Sequence, residues 1–331
     1  MKFFLVILFF LPLRFYSQVG QTNFYAIDNK VGSITIAKAD TLAKQLASLG
    51  KTDREKVRAI FRWITEHIDY NVVPFGQRKK IRRQFYKEPD DSNVALPPLN
   101  ERIAAKVLNT GVAFCDGYSR LFKTLCDHTG IKAEVIYGYA RTNNNRGFAV
   151  NHTWNSVYID SSWYLLDVTW ASGVVSYGNE YIRQYNDFYF LTPPSDFIRD
   201  HYPEDLQWTL LNDPPVYQEF GQSPFRYSGY IKAGVNSYFP AKGVIDVAVG
   251  DTVLIELKAR KEISNFFVSE SPILDTAQLT KFPNVNTKDE MFVFKYNITT
   301  ITGEWLYVFC NEELALRYKL NVKKEIVKAN D

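Results

Sequence analysis

The sequence predicts an α+β fold from three observations: a helix that opens on Cys115, a hairpin of aromatic and β-branched strands behind it, and a series of short alternating strands from about residue 221. From Cys115 the apolar or small residues fall at Tyr118, Phe122, Leu125 and Cys126, the i, i+3, i+4 spacing of one buried helix face. Gly130 stands where a left-handed residue would end that helix. Residues 151–159 and 163–170 are the two strand patterns, and Asp160-Ser161-Ser162 between them is turn chemistry.

A cysteine at a helix start has two readings. Free Cys is among the most buried residue types, which makes Cys115 core packing. Alternatively, the unpaired N–H groups and positive dipole end favour the thiolate, which is the reactive form, and the same N–H groups suit an oxyanion. The hairpin bears on this choice. Faces alternate with period two, so a two-residue Asp160-Ser161 loop puts His152 and Asp167 on one face, with His152 opposite Thr169 and diagonal to Asp167. A carboxylate beside one imidazole nitrogen fixes the tautomer and leaves the other nitrogen to take a thiol proton; the same pair elsewhere is purely structural.

Three blocks, Cys115-Asp116-Gly117-Tyr118, Asn151-His152-Thr153-Trp154-Asn155 and residues 163–170, closely resemble the catalytic blocks of the transglutaminase-like superfamily, where Cys, His and Asp stand in this order. Upstream, residues 53–71 look like the helix that precedes its catalytic core. Downstream, Phe188 to Pro194, His201-Tyr202-Pro203 and Trp208 to Leu211 are similar to the kyphoscoliosis peptidase branch. The resemblance covers about half the chain. It implies a papain-like α+β core, with a helix-start Cys packed on an antiparallel sheet, and thiol acyl chemistry by Cys115, His152 and Asp167. Members divide among cross-linking, amide hydrolysis, deamidation and loss of activity, so the reaction has to come from the site. No acidic cluster resembles the calcium sites of animal tissue transglutaminases.

Composition fits this reading. The chain has 331 residues, 46% of them hydrophobic, enough for a sizeable core and two domains, and 23% charged residues is ordinary for a folded protein. A formal charge of +3 and the lack of zinc-finger or phosphate-loop spacing argue against a nucleic-acid partner. The basic run Arg78 to Arg83 is followed by Glu88, Asp90 and Asp91 and reads as a solvated face. Three cysteines make no disulfide scaffold, and Cys126, about three helical turns or roughly 16 Å beyond Cys115, cannot bridge to it. Cys126 and Cys310 read as core. His67 and His128 fall on helices and His201 in a Pro-bounded loop, so no histidine has a metal-ligand partner at a convincing interval, and neither metal nor cofactor is expected.

Met1-Lys2 followed by the apolar stretch Phe3 to Leu13 suits a secretory signal over residues 1–17, which implies export to a periplasmic or extracellular space without stable membrane insertion. Residues 18–50 form an N-terminal segment, 51–220 the catalytic domain and 221–331 an accessory β-sandwich. Thr52 to Glu55 has the capping-box pattern ahead of the apolar stripe Val57, Ile60, Phe61, Ile64 and Ile68. Residues 72–99 read as an insertion, and the turn at 143–147 as a rim of the site. The expected reaction is acyl transfer at amide carbonyls of a protein or peptide substrate, with water as acceptor in peptidase-like hydrolysis. The alternatives are cross-linking or deamidation at glutamine, and a non-catalytic binding module with a relic triad.

Overall fold

A computed structural model describes residues 23–35, 38–72, 96–141, 149–176, 178–273, 291–298 and 303–322. Residues 1–17, read above as a secretory signal, the basic run and the turn at 143–147 lie outside the described residues, as does most of the 72–99 segment.

The first half is a helical layer on an antiparallel sheet. Helices α1 (Tyr25–Val31), α2 (Ala39–Ala47) and α3 (Asp53–His67) precede α4 (Leu99–Thr110) and α5 (Cys115–His128). Helix α3 begins as expected: Thr52 accepts from the Glu55 N–H while Glu55 reaches back to the Thr52 N–H, a reciprocal cap contributing about 1 kcal/mol. Two-residue strands β1 (Asp69–Tyr70) and β2 (Val112–Ala113) pair in parallel and fix the entry to α5. Helix α5 closes with Gly130 at φ +75°, the Ile131 N–H on Cys126 O and the Gly130 N–H on Asp127 O, which together satisfy the last carbonyls.

Behind α5 stands a four-stranded antiparallel sheet, ordered β5 (Ser162–Leu166), β4 (His152–Ile159), β3 (Lys132–Ala140) and β8 (His201–Pro203). The two-residue loop is as expected: Ile159 pairs with Ser162, and Asp160 and Ser161 both adopt left-handed φ, 49° and 60°. Two expectations are corrected. Strand β5 ends at Leu166, and Asp167 leaves the ladder to cap the short helix α6 (Val168–Ser172), so Thr169 is not opposite His152; Gly138 is. The cause is local, since an Asp side chain at that point accepts the Trp170 N–H at 3.0 Å and so favours a helix start over a strand. Likewise His201 is in a buried strand on β3 rather than in a loop. A small hairpin, β6 (Gly173–Val175) with β7 (Tyr181–Arg183), follows α6.

The second half holds two sheets around one apolar core. One is β10 (Val235–Phe239), β12 (Thr252–Ala259) and β14 (Met291–Asn297); the other is β11 (Val244–Val247), β16 (Glu313–Val322), β15 (Trp305–Cys310) and β13 (Phe266–Ser269), with β9 (Phe225–Arg226) against β16. Ile255, Leu257, Phe266, Leu306, Val308, Leu316 and Tyr318 are buried between them. The expected strands stop near Phe309, but Asn311 and Glu312 turn the chain with left-handed φ into β16.

The halves meet at Arg141, directly after β3. Its guanidinium donates to Ser223 Oγ and Pro224 O, both at 3.1 Å, and lies 4.1 Å over the Phe225 ring. Arg317 covers that ring at 4.3 Å and stacks on Trp305 at 4.1 Å, giving an alternating pile of cation and ring.

Candidate active site

Each residue of the Cys-Asp-Gly-Tyr block has a structural reason. Gly117 lets α5 approach its neighbours: a Cβ there would meet Ala113 Cβ at 2.8 Å and Val107 Cγ2 at 3.0 Å. Tyr118 is buried and donates its hydroxyl to Ile68 O at 2.6 Å, and Asp116 pairs with Arg120 at 2.9 Å. These contacts hold Cys115, half-buried, at the first position of a fourteen-residue helix. The Asn-His-Thr-Trp-Asn block is pinned in the same way. Asn151 accepts from the Ala140 N–H at 2.7 Å and donates to Ala140 O at 3.0 Å. Asn155 donates to Ser119 O and Glu134 O, both at 3.0 Å, tying α5 to the sheet.

His152 therefore has a fixed ring. Its Nε2 lies 2.7 Å from Asp167 Oδ2, while Asp167 Oδ1 is taken by the Trp170 N–H, and Asp167 is fully buried. His152 and Thr153 are the neighbours that act on the Cys115 thiol. Burial pushes the Cys115 thiol up, but the hydrogen bond and positive charge of His152, with the Thr153 contacts, outweigh it and leave the thiol below its ordinary range. Burial opposes charge on His152, and the Asp167 carboxylate more than reverses this, so His152 is raised. Burial raises Asp167, and the two histidines beside it bring it well below the usual carboxylate range. The directions agree: the arrangement favours a thiolate–imidazolium pair backed by a carboxylate.

His201 was missed as a member of this group. Its Nε2 lies 2.9 Å from the same Asp167 Oδ2, and its Nδ1 lies 2.6 Å from Asp200 Oδ1. The register explains this. His152 pairs with Gly138 and His201 with Ala140 on opposite sides of β3, and residues two apart share a face. Gly138 is required here, since a Cβ would meet Trp154 Cη2 and Tyr202 O, each at 2.4 Å. The only signal in the sequence was the Asp200-His201-Tyr202-Pro203 run, too short to show its pairing. The ligand-capable atoms of His152, Asp167 and His201 lie within 4.8 Å of one another. Both histidines aim Nε2 at one carboxylate oxygen, and the N–H···O bonds use the nitrogens a metal would need as ligands.

The site opens on a cleft of about 950 Å³ lined by Tyr70, Asn151, His152, Trp170, Val174 and Tyr189 among others. Val174 and Val175 of the β6–β7 hairpin line it and stand exposed. Apart from His152, the described lining residues carry no ionisable group other than tyrosine.

The family model of the transglutaminase-like superfamily matches residues 40–168. Kyphoscoliosis peptidase of Mus musculus is 31% identical over 244 residues, covering 71% of this chain and 34% of that protein. Its Homo sapiens counterpart is 33% identical over 224 residues, covering 66% and 31%. Hillarin of Drosophila melanogaster is 28% identical over 227 residues, covering 62% and 25%. The chain thus spans about a third or less of the length of these relatives. Cys115, His152 and Asp167 all lie within the matched segment, and residues 40–168 of this chain are a domain of the transglutaminase-like superfamily.

Proposed function

We propose that the chain is a thiol enzyme that cleaves peptide or carboxamide bonds through a Cys115 thioester. The observation that carries this reading is the His152–Asp167 pair, 2.7 Å apart, acting on the half-buried Cys115 thiol, which is lowered while the imidazole is raised, beside an open cleft lined by His152. The Cys115 sulfur attacks the carbonyl carbon, and the carbonyl electron pair moves to an oxyanion facing the N–H groups of the first turn of α5. As the C–N bond breaks, imidazolium His152 gives its proton to the leaving amine. Water then attacks the thioester, His152 takes its proton, and the acid departs with the Cys115 thiol regenerated. Asp167 keeps the His152 ring oriented throughout. An amine in place of water would yield a cross-link by the same steps. The exposed Val174 and Val175 in the cleft lining favour a substrate segment with uncharged, apolar side chains.

Residues 221–331, read as an accessory β-sandwich, dock on residues 51–220 through the Arg141 pile, and residues 1–17 export the chain; limited proteolysis and N-terminal sequencing of the secreted protein test these two points. The central test is iodoacetamide labelling across pH with the modified cysteines mapped. Selective labelling of Cys115 with an apparent pKa well below about 8.5 is expected, and an inert Cys115 would sink the proposal in favour of a binding module. Peptide libraries incubated with and without a lysine-like amine then identify the acceptor, and amine incorporation in place of cleavage overturns the hydrolytic assignment.

A further inference from the structure

The β6–β7 hairpin is fastened along one side. Arg183 of β7 donates to Thr65 O, to Asp69 Oδ1 and, at 3.4 Å, to Ile68 O, which ties β7 to the end of α3 and to β1. The turn is held as well, with Asn179 Nδ2 donating to Val72 O at 2.9 Å. Along the ladder the Gln184 N–H donates to Ser172 O at 3.2 Å and the Ser176 N–H to Glu180 O at 2.9 Å, with Val174 and Ile182 paired midway between them. Antiparallel ladders alternate bonded and open pairs, so the bonded positions on β6 are 172, 174 and 176. Gly173 and Val175 therefore turn their peptide groups away from β7.

Among the described residues β6 pairs with β7 alone, and its outer edge is open. Gly173 has no side chain, so it lines the cleft with its backbone, and Val175 is in the same lining. Exposed edges are ordinarily blunted by charge, proline or a bulge, and Gly173-Val174-Val175 has neither charge nor proline. A glycine inside a strand marks a close backbone approach, and a Cβ at Gly173 would meet Ile182 O at 2.3 Å. We propose that the outer edge of β6 is a backbone-recognition subsite, on which the substrate peptide lies as an added strand, bonded to the outward peptide groups of Gly173 and Val175. Those groups recur about 7 Å apart, the two-residue repeat of an extended chain. Backbone amides supply the affinity and side chains at alternate positions the selectivity. The occupant is a peptide because the bond Cys115 would attack is an amide and the same cleft is lined by His152.

The inference rests on the reading of Cys115 as the acylated thiol, and its test separates the two. The full chain is treated with iodoacetamide and with uncharged valine- and alanine-rich pentapeptides that carry a chloromethyl ketone at the C-terminus or a chloroacetyl group at the N-terminus. The peptide can thus leave Cys115 in either direction. An N-methyl group is moved along each peptide one nitrogen at a time. In one of the two sets, methylation at every second nitrogen should slow Cys115 alkylation about fivefold, the worth of one hydrogen bond, and at the intervening nitrogens by less than about twofold. Val175→Pro removes an outward N–H that the hairpin does not use. It should lower the ratio of the peptide-reagent rate to the iodoacetamide rate about fivefold. If that variant does not fold, hydrogen exchange in the peptide adduct of the unaltered protein replaces it, and the Val175 N–H should exchange about tenfold more slowly than without the peptide. No alternation in either set, an unchanged rate ratio in a folded Val175→Pro variant, or unchanged exchange at Val175 overturns the strand subsite and leaves the thiol reading standing. A Cys115 inert to iodoacetamide and to both sets overturns the thiol reading, and this inference with it.

Discussion

Cys115 and Cys310 are the same side chain in two regions of one chain. Cys310 ends β15 in the apolar core between the two C-terminal sheets, opposite Phe266; burial acts on it alone and pushes the thiol up to about 12. Cys115 also loses solvent, yet it moves the other way because His152 and Thr153 reach its sulfur. Burial by itself therefore makes a cysteine inert, and reactivity requires a charged partner brought into the same enclosure. The contrast extends to the surroundings. The core around Cys310 is built almost wholly from Val, Ile, Leu and aromatic rings, whereas behind Cys115 the protein buries a continuous series of ionisable groups.

The largest effect should come from removing the centre of that series. Asp167→Ala leaves two buried imidazoles without their acceptor and α6 without its cap, and should cost about 3–5 kcal/mol in urea unfolding; a loss under 1 kcal/mol would erase the distinction between the regions. Next, His152→Ala returns Cys115 to an ordinary thiol, so labelling at pH 6 should fall about a hundredfold, while Cys310 remains unlabelled in the native protein. The pH dependence has a definite sign: with the thiol lowered and the imidazole raised, labelling of the unaltered Cys115 should begin at more acid pH than a free thiol's and stay governed by the ion pair past the ordinary imidazole range. Gly117→Ala, whose Cβ would crowd Ala113 and Val107, should cost about 1–3 kcal/mol and slow labelling by displacing the start of α5. The smallest effect is expected of Cys310→Ala, about 1 kcal/mol of packing with Cys115 labelling unchanged. A change in Cys115 reactivity in that variant would show that the two regions are chemically linked.

The parts of this site that could be read from the sequence are the local ones. Helix α5 announces itself by period and by its terminal glycine, and the Asp160-Ser161 turn sets the β4–β5 register within a few residues. Asp167 was placed near His152 by counting along a strand that in fact ends one residue earlier; the side chain arrives by capping a helix. His201 was not legible because β8 has three residues, no period to detect, and a pairing with β3 more than sixty residues back in the chain. The C-terminal sheets divide differently. Strand β16 does alternate, with Leu314, Leu316, Tyr318 and Leu320 in step, but its pairing with β11 is parallel and nonlocal, so its central place in the sheet could not be read from adjacent strands.

The pile of Arg141, Phe225, Arg317 and Trp305 joins the C-terminal half to the half that holds Cys115. Arg141 follows β3 directly, its backbone N–H donates to Asp200 O at 2.8 Å, and Gly138, three residues before it, is the partner of His152. Arg141 thus touches the C-terminal half through its guanidinium and Asp200 through its backbone, at the end of the strand that pairs with the strands of both histidines.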